Sequence, residues 1–223
     1  MFNLSQEDCA IPFDNVPPCA PDLTVVNNCT SAEPGTPPED IINMLSWTNP
    51  ADVCMDLDTR TFKIYFAPVE TDDLSQFELI DEISSTNYDH VALATGGGCY
   101  YVTAIDANGN ESFPSLLSCI DNCPAYDLPN TFTPNADGSN DLFIPYPYRY
   151  IDRIDMRIYN QWGNLVFETT DPDINWDGRD LNGNELGSGA YYYTARVFES
   201  KLDGAQEQMD ILSGYIQLFR SAR

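Results

Sequence analysis

In IDRIDMRIYNQWGNLVFETT, residues 151–170, the apolar side chains Ile154, Met156 and Ile158 alternate with Asp155 and Arg157. A period of two is that of a strand with one face in a core and the other in water. Asn160-Gln161-Trp162-Gly163-Asn164 then interrupts the alternation, and Gly163 can take the positive φ that a tight hairpin turn requires. Leu165 to Thr170 resumes the strand pattern, so the stretch is a β-hairpin. Around it lie LFIPYPY (142–148), AYYYTARVFES (190–200) and ILSGYIQLFR (211–220), all short, β-branched or aromatic, and bounded by Gly, Asn, Asp or Pro. No helix of usable length is expected anywhere.

The same pattern extends toward the N-terminus. DLTVV, NMLSWTN, FKIYFAPV, FELIDEI, CYYVTAID and SFPSLLS follow one another from residue 22 to 118, with Phe62, Ile64 and Phe66 on one face of their strand and Tyr101, Thr103 and Ile105 on one face of theirs. Six to seven strands in this span indicate an antiparallel sandwich, and the chain as a whole reads as all-β, with two tandem antiparallel β-sandwich domains. Residues 1–18, with Pro12, Pro17 and Pro18 and no periodicity, read as a linker or the tail of a preceding module. Residues 19–124 form the first sandwich and 125–223 the second. CIDNCPAYDLP (119–129) joins them, and its two prolines make it stiff.

Charge follows the same division. Residues 1–124 carry Arg60 and Lys63 against 20 acidic residues, while 125–223 carry eight basic and 15 acidic ones. A net charge of −25 excludes nucleic acid, whose phosphates need clustered Lys and Arg, and disfavours an anionic membrane surface. No run of about 20 apolar residues could cross a membrane as a helix, so direct insertion is not expected. All seven cysteines, Cys9, Cys19, Cys29, Cys54, Cys99, Cys119 and Cys123, precede residue 124. Only Cys119 and Cys123 have zinc-like spacing and no second pair answers them, so disulfides in an oxidising compartment are the reading. The odd cysteine is assigned to Cys9, with a partner upstream. MFNLSQEDCAIPF lacks the basic and apolar regions of a signal peptide, and the disulfides are reconciled with this if the chain is the C-terminal part of a longer secreted protein, which is the expectation.

Chemistry-bearing candidates are few. In TPNADGSND, Asn135, Asp137, Asn140 and Asp141 place oxygen ligands at alternating positions around Gly138, an arrangement suited to calcium. The alternative is a loop in which these side chains bond their own backbone, because the distal bidentate Glu of an EF-hand is missing. In NWDGRDLNGNELGSGAYYY, Asp173, Asp177, Asp180 and Glu185 sit among glycines at turn spacing, so they read as tight turns rather than a glycosidase acid pair. The single histidine, His90, lies between a strand and the GGGC turn with no GxSxG motif. Nucleophilic catalysis lacks its constellation, and the chain is read as a non-enzyme. GYIQLFR (214–220) is either a closing edge strand or a strand offered to a partner by strand addition. Tyr191, Tyr192 and Tyr193 are the dense aromatics that a carbohydrate- or protein-binding module of a secreted hydrolase would present.

Trp47 on the second strand and the YYVTAID strand followed by ANGNES resemble a fibronectin type III domain over roughly residues 19–120. The resemblance implies a core position for Trp47. It also implies two poles: one brings Cys19 near Cys54, and the other brings Cys29 near one of Cys99, Cys119 and Cys123.

LPNTFTPNADGSNDLFIP, RIYNQWGNLVFETTDP, INWDGRDLNGNELGSGAYYY and GYIQLFR together resemble the gliding-motility-associated C-terminal domain, the type B sorting domain of type IX secretion substrates in Bacteroidetes. Ala136 stands where that family usually has Gly. The resemblance implies a C-terminal secretion and surface-anchoring signal on a cell-surface adhesin involved in gliding. Export would run through the periplasm and outer membrane. The implied partners are an outer-membrane β-barrel, the translocon, and upstream adhesin repeats in the same chain. The TPNADGSND loop, Asp177, Gly178 and Arg179 of the turns, and Tyr215, Ile216, Gln217, Leu218 and Phe219 of the last strand are the expected partner-binding surfaces.

Overall fold

The computed structural model describes residues 14–33, 35–54, 58–91, 96–207 and 211–220. Cys9 and most of the expected N-terminal linker lie outside them. The N-terminal part contains β1 (Leu23–Asn27), β2 (Asn43–Trp47), β3 (Thr59–Ala67), β4 (Glu78–Ile83), β5 (Asn87–His90), β6 (Gly98–Asp106) and β7 (Ser118–Ile120). They form a three-stranded sheet, β1-β2-β5, facing a four-stranded sheet, β4-β3-β6-β7, with every pairing antiparallel. Leu45, Trp47, Phe62, Ile64, Tyr100, Val102 and Ala104 fill the space between. Trp47 meets Phe62 edge-on at 5.6 Å, an aromatic geometry that adds to simple area burial.

Alternation in β6 is visible in the sequence, but the main core takes Tyr100, Val102 and Ala104 rather than the Tyr101 face. The Tyr101 side is covered separately, by a 4.4 Å stack on Tyr65 and by Phe77. SFPSLLS is not the seventh strand. Pro114 has no N–H to donate, and the Ser112 and Ser115 hydroxyls instead accept from Ala104 N and Val102 N at 2.9 and 3.1 Å. Regular pairing resumes only at Ser118.

The C-terminal part contains β8 (Thr131–Phe132), β9 (Ile151–Tyr159), β10 (Leu165–Thr169), β11 (Gly189–Lys201), β12 (Gly204–Glu207) and β13 (Leu212–Leu218). The sheet order is β10-β9-β11-β13-β8, with β12 hairpinned onto β11. One pairing departs from the antiparallel expectation, since β13 and β8 run parallel at Gln217–Leu218. The layer over this sheet is built mostly from irregular chain. LFIPYPY is not a strand: Pro145 and Pro147 limit it to a bridge between Phe143 and Trp176. Phe132, Phe143, Ile154, Met156, Ile158, Trp176, Tyr191, Val197, Ile216 and Leu218 belong to one closed core, with Trp176 touching the rings of Phe132, Phe143, Phe167 and Tyr191.

Disulfides join Cys19 to Cys54, Cys99 to Cys119 and Cys29 to Cys123. The last of these lies at the joint between the two parts. There Arg149, only 4% exposed, donates through Nε to Cys123 O and through Nη1 to Glu33 O, both at 2.8 Å. Asn122 Nδ2 reaches Ser200 O at 2.9 Å, and Asp121 accepts from Leu202 N at 3.1 Å. A buried guanidinium with its donors engaged holds backbone carbonyls in fixed directions, which makes the joint stiff by more than its prolines.

Candidate functional site

Three stretches far apart in sequence converge at one end of the C-terminal sheet. Arg220, just beyond β13, ties them together: Nε donates to Leu186 O at 2.8 Å, Nη2 to Gly178 O at 3.0 Å and Nη1 to Pro134 O at 3.2 Å. Its backbone N–H donates to Ser188 Oγ at 2.8 Å. Around it lies an open cleft of about 420 Å³ lined by Pro134, Asn135, Asp141, Asp177, Arg179 and Glu185, among others. The structure therefore brings together the TPNADGSND loop and the WDGRDLNG turns, both of them expected surfaces, beside the end of the last strand. Arg220, at the end of the GYIQLFR stretch, is the residue that gathers them.

The chemistry of this cleft is structural at its walls. Asp141 accepts from Asn135 N, Ala136 N and Gly138 N at 3.0, 2.6 and 2.8 Å. These backbone N–H bonds, Gly138's foremost, hold its carboxyl below the usual Asp value. Asn135 Oδ1 caps Asp137 N and Asp137 Oδ1 caps Ser139 N. These are the hydrogen bonds of the alternative given for this loop, side chains bonding their own backbone. Ala136 takes φ +62°, a left-handed conformation that costs a residue with a Cβ.

In the turns, Arg179 pairs with Asp177 at 3.1 Å and Glu185 at 3.2 Å, and Trp176 Nε1 donates to Arg179 O at 2.9 Å. Asp180 caps Asn182 N and Asn184 N and bonds the Asn184 side chain; that side-chain bond leads in lowering its carboxyl. Gly178 sits at φ +76°, and a Cβ there would lie 2.8 Å from Leu218 Cδ1. Its backbone can approach the core only because it has no side chain.

The last strand needs correction as a partner surface. Ile216 and Leu218 are buried in the core, while Tyr215 and Phe219 are about half exposed. β13 pairs with β11 along its length and with β8 at Gln217–Leu218, and Phe219 N donates to Phe132 O at 3.2 Å. Strand addition at Gln217–Phe219 is already taken by the chain itself. The tyrosine triplet also separates: Tyr191 is buried with its hydroxyl on Gly187 O, Tyr193 packs on the core, and only Tyr192 faces solvent. A strand's period of two cannot present three successive residues on one face.

Elsewhere, His90 Nδ1 and the Tyr100 hydroxyl share a hydrogen bond at 2.9 Å, the ring packs edge-on against Phe66, and burial lowers its pKa. This is a packing role within the N-terminal sandwich. Carboxylate oxygens of Asp14, Asp58 and Asp106 lie within 4.8 Å of one another and could hold a cation, although Asp106 is already bonded by Asn108 N and Asn110 N. Among the described residues no helix is long and apolar enough to cross a membrane.

No curated protein matches the sequence. Among solved structures, the chain resembles the crystal structure of a tetra-tandem repeat in the extending region of a large adhesion protein, with 15% identity and a TM-score of 0.34. That alignment covers 88% of this chain and 49% of the other, so this chain spans about half the length of its relative. A second likeness is to the FN1–FN3 domains of chicken CNTN1, with 10% identity, a TM-score of 0.33, and coverage of 92% of this chain and 69% of that one. The family comparison falls on the C-terminal part, where residues 126–218 match the CHU_C type IX secretion signal domain, a signal for export to the cell surface or extracellular space.

Proposed function

We propose that residues 125–223 are the folded C-terminal secretion and anchoring signal of a surface adhesin, recognised by the outer-membrane β-barrel partner and translocon of the type IX system. Residues 19–124 are then the adjoining domain of the exported cargo. The observation that carries this reading is the coincidence of two boundaries. The family match spans 126–218, and the closed C-terminal core runs from Phe132 to Leu218. An address read as a folded object needs its surface loops held in place, and Arg220, Asp141 and Asp180 hold them by hydrogen bonds. The mechanism is recognition rather than reaction.

The test is a fusion of the whole 223-residue chain to a fluorescent protein carrying a periplasmic export signal, expressed in a type IX-competent cell. Surface fluorescence is expected, and it should vanish when the translocon is inactivated or when residues 126–218 are deleted. Undiminished display after that deletion would sink the sorting role.

A further inference from the structure

Residues 144–148 run between Phe143, sealed in the C-terminal core, and Arg149, sealed in the joint. Pro145 and Pro147 fix φ at two positions along this stretch. What it presents to solvent is one wall of a cleft of about 630 Å³, and Asp173 and Asn175 form the other wall. Ile144 is 47% exposed there and Tyr146 51%. Tyr148 donates to Asp173 Oδ1 at 2.8 Å, and Tyr126 meets the Tyr148 ring edge-on at 5.4 Å.

The acidic wall is held in a conformation that the local backbone disfavours. Ile174 takes φ +59° and Asn175 φ +54°. A left-handed backbone is uncommon for any residue with a Cβ and an outlier for a β-branched one. Ile174 is buried in the core, and the neighbouring Asp173 and Asn175 are turned outward to the cleft. Strain of this kind collects at ligand clamps. Among the described residues, Asp173 Oδ2, the Asn175 side-chain amide and the Tyr146 hydroxyl take no hydrogen bond.

The field in the cleft is negative. No Lys or Arg lines it. Burial pushes the Tyr148 phenol up, and its bond to Asp173 and the charges of Asp173 and Asp171 push it further. Tyr126 is raised too, by burial and then by Tyr148, Asp173 and Asp171. Among the described residues neither Asp171 nor Asp173 belongs to an ion pair. A tyrosine face beside an uncompensated carboxylate suits a cation, and the free acceptors call for one that carries N–H groups. A guanidinium meets both demands, because it is planar, stacks on aromatic rings and donates in a fork.

We infer that this cleft takes an arginine side chain of a protein partner, stacked on Tyr146 and hydrogen-bonded to Asp173 and Asn175. A quaternary ammonium has no N–H for these acceptors, and a neutral sugar has no charge for the carboxylate. The chain's net charge of −25 draws a basic partner at long range, as the cleft does at contact. The site needs only the fold of this part, not the sorting role, and it shares no lining residue with the Arg220 cleft.

The test is a titration of the isotope-labelled whole chain with the blocked tripeptide Gly-Arg-Gly, followed by NMR of the backbone amides. Saturable shifts confined to the neighbourhood of residues 144–148 and 173–175 are expected. Citrulline in place of the arginine keeps the shape and removes the charge, and should weaken binding by about tenfold or more. Asp173→Asn, whose amide oxygen can still accept from Tyr148, and Tyr146→Ser should each weaken it to a similar degree while melting like the parent. No saturable shift at the cleft, citrulline binding at the arginine level, shifts spread over the acidic surfaces of both sandwiches, or parental affinity in either variant would overturn the inference. Tighter binding of choline, free arginine or glucose than of the tripeptide would also overturn it, by marking a small-molecule site.

Discussion

The two halves of this chain keep loops on a β core by different means. The N-terminal sandwich is covalently stapled, with Cys19–Cys54 and Cys99–Cys119 within it and Cys29–Cys123 at its junction with the C-terminal part. The C-terminal part has no cysteine from residue 124 onward and holds an irregular layer by side chains that cap backbone groups: Asp141, Asn160, Asp180 and Arg220. Bridges act largely by limiting the unfolded chain, whereas caps act only once the native turn exists. Stability of the first half should therefore follow redox state, and that of the second should follow turn geometry and the aromatic core beneath the turns.

The largest expected effect comes from breaking that contrast directly. Reduction should destabilise the N-terminal sandwich by about 2–5 kcal/mol for each bridge lost. Region-resolved hydrogen exchange should then show β1–β7 opening while β9, β11 and β13 stay protected. Equal loss of protection in both halves would show that they share one cooperative unit through the Arg149 joint.

Trp176→Ala inverts the experiment. It removes the ring against which Phe132, Phe143, Phe167 and Tyr191 pack, at an expected cost of about 3–5 kcal/mol. Denaturant unfolding should show the C-terminal transition shifted and the N-terminal one in place.

Gly178→Ala probes the turns rather than the core. At φ +76° and with Leu218 2.8 Å from the new Cβ, the substitution should cost about 1–3 kcal/mol. Faster proteolysis at 133–141 should accompany it, because Arg220 links the two loops. Parental proteolysis rates would mean that the loops are independent.

The smallest effect is one of pH. His90 has its pKa lowered in the folded state by burial, so the unfolded chain binds the proton more readily. Its contribution is fully present above the unfolded value of about 6.5 and is lost as pH falls below it toward the lower folded value. The N-terminal transition should weaken over that window, and His90→Gln should flatten the dependence. An unchanged slope in the variant would assign the pH response to other groups.

Much of this was legible along the chain. The hairpin at residues 151–170 and the turn with Gly163 at φ +80° follow from local periodicity, while the burial of Trp47 and the pairing of Cys19 with Cys54 were implied by the fibronectin type III resemblance. The two-residue β8 and the four-residue β5 and β12 were not legible, since strands that short have too few residues to show a period. LFIPYPY has the composition of a strand, and its prolines outweighed its apolar content.

Alternation fixes which residues share a face, because it is a property of the backbone. It cannot say which of the two faces meets a core or what caps an edge: β6 buries both faces, and β13, which looked like an edge, is paired by β8 at Gln217–Leu218. The cleft beside Tyr146 comes from two segments, and the Arg220 cleft from three loops. Those groupings depend on register and on hydrogen bonds between residues up to 86 positions apart, as between Arg220 and Pro134. Such long-range closures form only when the whole sheet does, so they belong to the tertiary structure alone.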